Sequence, residues 1–264
     1  MTALSFTLKS PLRQRLDASP LVPDRLLGKS PKEIATLDLQ YGNRRIAAAD
    51  LFDIAGDDAE SVRISGSPKL DFAGRGMTRG SLIIDGDAGA YVGMHMKGGR
   101  LCVSGSAGLY AACELKGGIV EICGNAGDLL GSALPGNKKG MSEGVVIVRG
   151  DAGDRVGDHM RRGSILIEGN AGMYLGARMT AGTIAVRGRI GACAGYAMKR
   201  GTLLVYGSPV SNRRHLQRLW FTYPRFPAFA PQRLSGLEYL LLGDSGVPVP
   251  GASTGRRPLG PRQG

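Results

Sequence analysis

Three histidines, four cysteines and a single tryptophan in 264 residues leave this chain poorly supplied with the usual reactive groups. The cysteines Cys102, Cys113, Cys123 and Cys193 form no CxxC pair. Zinc-finger and thioredoxin spacings are therefore excluded, and reduced thiols in a cytoplasmic protein are expected. His95, His159 and His215 belong to no HxH or HExxH motif, and no serine or cysteine has a base at a recognisable spacing, so no hydrolase signature is present. No run of 18 uncharged apolar residues is available to span a membrane, and the first residues lack the basic start, apolar stretch and cleavage site of a secretory signal. Aromatic residues make up only 6% of the chain and charged residues 21%, but 42% are apolar, enough to bury a core and to exclude a disordered chain.

What the chain does have is glycine and positive charge. Its 42 glycines are more than twice the ordinary share of about 7%, and they lack the three-residue period of collagen. The net charge is +12, with 25 Arg against 9 Lys, a bias that hints at a high-GC bacterial genome. Residues 1–60 carry 8 basic and 9 acidic groups, residues 61–208 carry 18 and 11, and residues 209–264 carry 8 and 2. A basic body and tail suit an anionic small molecule, an acidic subunit or nucleic acid.

Short aliphatic runs each close on a glycine: Gly66, Gly86, Gly105, Gly124, Gly150, Gly169, Gly188 and Gly207, separated by 20, 19, 19, 26, 19, 19 and 19 residues. The long interval holds a seven-residue insertion around 132–140. Four and two residues before each glycine stand aliphatic pairs such as Val62/Ile64, Leu101/Val103 and Ile184/Val186, the alternation of a strand with one buried face. After the glycine come a small residue, a second glycine, an apolar residue and usually a third glycine. Each unit then ends on Met96, Leu115, Met141, Met160, Met179 or Met198.

Nineteen residues are too few for a strand, a helix and two connections, but they suffice for one coil of a parallel β-solenoid with glycines at the corners. The expected fold is all-β: a right-handed parallel β-helix of about eight coils over 61–208, about 34 Å long at about 4.8 Å per coil. N-terminal (1–60) and C-terminal (209–264) segments are expected to cap its ends. The glycines run strand–turn–strand rather than strand–loop–helix, so phosphate cradling is not expected. The C-terminal cluster Trp220, Phe221, Tyr223, Phe226 and Phe229 is expected to pack on the last coil or on another subunit rather than to stack bases. His95 and His159 fall three coils apart, roughly 14 Å, too far to share a metal. One outward feature recurs: Arg79, Lys97, Lys116, Arg161/Arg162 and Lys199/Arg200 follow the inward Met or Leu, giving a broken basic stripe that an anionic partner would relieve.

The unit Gly86–Asp87–Ala88–Gly89–Ala90–Tyr91–Val92–Gly93 resembles the β-helical C-terminal domain of the glutamate synthase large subunit. Together with Leu27-Gly28-Lys29-Ser30, Tyr41-Gly42-Asn43-Arg44, Val62-Arg63-Ile64-Ser65-Gly66 and the insertion ending Lys139-Gly140-Met141-Ser142, it is more similar to the C subunits of formylmethanofuran dehydrogenase and of the bacterial formyltransferase/hydrolase complex. That resemblance covers about residues 25–208 and implies a scaffold subunit without catalytic residues. Its implied partners are a formyltransferase subunit and a zinc amidohydrolase-like subunit, with no nucleic acid and no membrane. The bacterial complex moves formyl from formyl-tetrahydromethanopterin to a methanofuran analogue and releases formate; the archaeal enzyme instead uses a molybdenum or tungsten subunit and iron–sulfur centres. The Arg-over-Lys bias favours the bacterial form. Cofactors of this family carry glutamate residues, so Lys97, Lys116, Arg162 and Arg200 are the candidates for holding such an anionic tail. This chain is expected to hold no metal.

Overall fold

A computed structural model describes residues 2–207. The expected C-terminal cap at 209–264, with His215 and the Trp220 cluster, lies outside the described residues.

Eight parallel strands stack in sequence order: β6 (Asp58–Ser67), β8 (Ser81–Ala88), β9 (Lys97–Val103), β10 (Lys116–Ile122), β11 (Glu143–Val148), β12 (Ser164–Ile167), β13 (Thr183–Val186) and β14 (Thr202–Val205). They form the β-solenoid of about eight turns that the 19-residue period predicts. The register pairs like positions: Val120 lies opposite Leu101 and Val146, and Ile122 opposite Val103 and Val148. All sixteen paired aliphatic positions are at most 5% exposed, from Val62 and Ile64 to Leu203 and Val205. A second line of contact runs through single bridges joining Ala88, Ala107, Ala126, Ala152, Ala171 and Ile190. Met96, Leu115, Met141, Met160 and Met179 are fully buried, and Met198 in the last coil is partly so.

The N-terminal residues add two features. Strand β1 (Ala3–Leu8) pairs parallel with β6 and antiparallel with β5 (Phe52–Ala55), extending the main sheet to ten strands. A second, four-stranded sheet has the order β4 (Arg44–Ala47), β3 (Asp38–Tyr41), β2 (Leu16–Asp17) and β7 (Leu70–Asp71). Its hairpin turns at Gly42-Asn43, where Tyr41 pairs with Arg44. Three single-turn helices complete the segment: α1 (Pro23–Leu26), α2 (Pro31–Ala35) and α3 (Ala48–Leu51). Helix α2 starts where Ser30-Pro31-Lys32-Glu33 makes a capping box, with the Ser30 N–H donating to Glu33 Oε2 at 2.7 Å. No helix among the described residues is long and apolar enough to cross a membrane.

The glycines serve two separate purposes. From Gly105 onward, those that close the strands lie against the preceding coil: a Cβ on Gly169 would stand 2.5 Å from the Gly150 carbonyl oxygen, closer than a real Cβ approaches. The left-handed corners, by contrast, are shared with ordinary residues. Gly93 at φ 69° is followed one coil later by Ala112 at φ 53°, and a neighbouring column holds His95 (φ 56°), Glu114 (φ 49°), His159 (φ 59°) and Arg178 (φ 54°). A third left-handed column includes Phe72, Tyr91 and Tyr110, whose rings stack at 4.9 Å and 5.2 Å.

Candidate anion-binding corner

The coils turn from the Met column into the next strand through backbone bonds of one pattern. Lys97 N donates to Met77 O, Lys116 N to Met96 O, Ser142 N to Leu115 O, Arg161 N to Met141 O, Thr180 N to Met160 O and Lys199 N to Met179 O, all at 2.8–2.9 Å. These bonds align Thr78, Lys97, Lys116, Ser142, Arg161, Thr180 and Lys199 in one outward row, about 4.8 Å apart. Of the four candidate residues, Lys97 and Lys116 therefore sit on successive coils of one row, whereas Arg162 and Arg200 fall in the adjacent row, one residue further on. Coils presenting Ser142 and Thr180 interrupt the charge with hydroxyls. Lys97, Lys116, Arg161, Arg162, Lys199 and Arg200 are exposed, and among the described residues none has an ion-pair partner. Arg79, the first cation of the expected stripe, faces Asp24 at 3.9 Å.

Several other cations are neutralised. On the outward face of the main sheet, Arg149 bridges Glu121 at 2.9 Å and Glu168 at 2.5 Å, while Arg100 reaches Glu121 at 3.0 Å. Burial acts against charge on Arg149, but hydrogen bonds to Glu121 and Glu168 outweigh it and raise its pKa. Arg178 holds the buried Asp158 through two hydrogen bonds, and His159 Nδ1 approaches the same carboxylate at 3.0 Å. The corner thus differs from the outward sheet face in presenting its cations beyond Arg79 without carboxylate partners among the described residues.

The insertion adds to that corner. Ser132 and Ala133 enter it buried, residues 135–139 are exposed, and Gly140 returns buried. It is tied down by Glu114, whose Oε1 accepts from Leu134 N at 3.1 Å and Asn137 Nδ2 at 2.6 Å, and whose Oε2 meets His95 Nε2 at 3.0 Å. Desolvation, the largest single influence, pushes the Glu114 carboxyl up; the hydrogen bonds from Asn137, Leu134 and His95 together outweigh it and hold the pKa below its ordinary value. Loop and corner enclose an open cleft of about 380 Å³ whose lining includes Glu114, Lys116, Lys138, Lys139 and Ser142. Lys138, Lys139 and the Glu114 anchor were not legible as site residues in the sequence; the available signal was the Lys-Lys pair inside the interval that departs most from the period.

His95 and His159 pair with carboxylates on separate coils. Among the described residues no group of three or more His, Cys, Asp or Glu side chains is placed to hold a metal ion. The exposed Lys and Arg row has the chemistry for carboxylates: flexible cationic donors with hydroxyls between them.

Fold and corner together define a β-solenoid protein with glycine-closed coils and a cationic edge. No family model matches the chain. Its fold and sequence are similar to a chain in the X-ray structure of the formyltransferase/hydrolase complex (FhcABCD) from Methylorubrum extorquens in complex with methylofuran, with a TM-score of 0.74 and 38% identity over 78% of each chain. It is also 40% identical over 86 residues, 32% of each chain, to the C subunit of the formyltransferase/hydrolase complex Fhc of Methylorubrum extorquens. Identity is 36% over 99 residues, 35% of this chain and 37% of the relative, to the C subunit of the tungsten-containing formylmethanofuran dehydrogenase 2 of Methanothermobacter marburgensis. The aligned stretches span about a third of these curated relatives. The chain belongs to the family formed by the C subunits of Fhc and of formylmethanofuran dehydrogenase.

Proposed function

We propose that this chain is a non-catalytic scaffold subunit of a cytoplasmic formyltransferase/hydrolase complex. There formyl would pass from formyl-tetrahydromethanopterin to a methanofuran-type cofactor and leave as formate in formaldehyde oxidation. The observation that carries this reading is the 38% identity over 78% of both chains with a component of a complex solved with methylofuran. Its partners are then a formyltransferase subunit and an amidohydrolase-like subunit holding zinc. The decisive measurement is formyl transfer by the chain alone and after co-expression with the products of its neighbouring genes. Turnover should require the partners, and turnover by the isolated chain would defeat the proposal. A second reading, the C subunit of a formylmethanofuran dehydrogenase, is favoured by the Methanothermobacter relative; co-purification of a molybdenum or tungsten subunit would select it.

Within this function, Lys97, Lys116, Arg162 and Arg200 serve to hold the anionic tail of the methanofuran-type cofactor. Support comes from the exposure of all four without ion pairs among the described residues. Lys97→Glu with Lys116→Glu should lower cofactor retention in the assembled complex, most strongly at low salt because exposed charges are screened as ionic strength rises. Unchanged retention would remove the role.

A further inference from the structure

We infer that Cys102 and Cys123 form a two-coordinate site for a soft monovalent cation, of the Cu(I) class, on the outward face of the main sheet. No sequence motif joins two cysteines this far apart in the chain; the solenoid brings them together. Leu101, Val103, Val120 and Ile122 are fully buried, so by alternation Cys102, Glu121 and Cys123 all face outward. The register sets Cys102 opposite Glu121, and the Cys123 N–H donates to Val103 O at 2.9 Å. The two cysteines therefore lie on adjacent coils, one diagonal step apart, and their thiols meet in a hydrogen bond.

This separation suits an ion better than a disulfide. A step of one coil and two residues spans about 8 Å between Cα atoms, beyond the about 7 Å that a disulfide can bridge. Neither strand is free to shift, since β9 is paired on both sides by β8 and β10, and β10 by β9 and β11. An ion extends the reach: two metal–thiolate bonds of about 2.3 Å, the length known for zinc, hold the sulfurs farther apart than an S–S bond of about 2 Å. Side-chain rotation alone then closes the site.

The number and type of ligands select the ion. Glu121 is the nearest carboxylate, but its Oε1 is engaged by Arg149 at 2.9 Å and its Oε2 by Arg100 at 3.0 Å. It supplies no third ligand. Structural zinc demands four ligands and hard cations take oxygen, whereas thiolate sulfur selects soft ions such as Cu(I). Burial pushes the Cys102 thiol up to about 11, with Cys123 and Glu121 adding to the rise. The ion must therefore displace a proton from sulfur as it binds. The exposed Cys123 gives it a way in.

The test titrates Cu(I) into the full chain, reduced and under anaerobic conditions, in competition with ferrozine as a chromophoric chelator. The wild type should withdraw a single ion per chain, and X-ray absorption of the loaded chain should show two sulfur neighbours. Cys102→Ser and Cys123→Ser should each lose the withdrawal, while Cys193→Ser should keep it. Zn(II), offered against a weak chelator in the same way, should not be retained. In the unsubstituted chain, bound Cu(I) should protect Cys102 and Cys123 together from alkylation, a readout that depends on no variant's folding. No withdrawal by the wild type, retention by either of the first two variants, loss in the third, a third sulfur neighbour, retention of zinc, or protection of one thiol without the other would overturn the inference.

Discussion

At single positions, glycines of this solenoid that look alike in sequence differ in what they tolerate. Gly169→Ala would press a Cβ against the Gly150 carbonyl oxygen at 2.5 Å, a backbone atom with no flexible end to yield. Gly76, at φ +69°, has nothing within 4 Å of its Cβ position, and His95, Glu114, His159 and Arg178 hold the same hand at equivalent corners. Gly76→Ala should cost about 1–2 kcal/mol, the penalty for a left-handed L-residue, and Gly169→Ala clearly more; equal shifts in the urea midpoint would mean that the coil spacing yields freely. The thiols are graded as well. Burial pushes Cys113 up to about 12 and Cys102 up to about 11, while Cys123 is exposed. Alkylation at pH 8 followed by mass spectrometry should mark Cys123 first and Cys113 only after unfolding, because the thiolate is the reactive form. Early labelling of Cys113 would show that this part of the wall opens.

Among the elements, the coils are joined by side chains as well as by strands. Asp87 accepts from Ser106 N, Ser106 from Asn125 N, Asn125 from Asp151 N, Asp151 from Asn170 N and Asn170 from Arg189 N, a ladder at 2.6–3.1 Å along one exposed corner. Asp151→Ala removes the acceptor of both Asn170 N and Asn170 Nδ2 and should cost about 1–2 kcal/mol by denaturant titration, at about 1 kcal/mol for each bond. The loop anchor carries a pH signature. Because the Glu114 carboxyl is held below its ordinary 4.5 in the folded chain, its stabilisation is complete above that value and is lost as pH falls through the lowered one. The difference in melting temperature between wild type and Glu114→Gln should be constant near neutrality and close below about pH 4.5; a gap that persists in acid would show that the carboxylate is not the anchor. The strands and their inward residues were legible in the sequence because a period-two alternation repeated at fixed spacing leaves one solution for burial, as at Leu101/Val103 and Ile165/Ile167. The left-handed corners at His95 and Glu114 were not, because glycine is the strong composition signal for that hand, histidine is a weak one and glutamate is none. Nor was the Glu114 clamp, which joins a corner residue to Asn137, 23 positions later in the chain.

For the whole molecule, stacked coils touch only their neighbours, so interior coils are protected on both sides while the ends must be covered. At the N-terminal end β1 lies on β6 and β5 on β1, and β1 is fastened by Phe6, whose ring meets Phe52 edge-to-face at 5.8 Å. Both rings are 1% exposed. Phe6→Ala should therefore do more than cost the about 3–5 kcal/mol of a buried phenylalanine. It loosens the strand covering β6, so the backbone donors and acceptors of the first coil become available to another molecule. Leu101→Ala, a change of about 2–5 kcal/mol at a fully buried site, serves as the comparison because β9 keeps β8 and β10 on either side. Light scattering behind size exclusion, on the full chain at matched residual stability, should show concentration-dependent association for Phe6→Ala and none beyond wild type for Leu101→Ala. If both associate alike, lost stability rather than an uncovered edge is responsible, and the covering role of β1 is refuted.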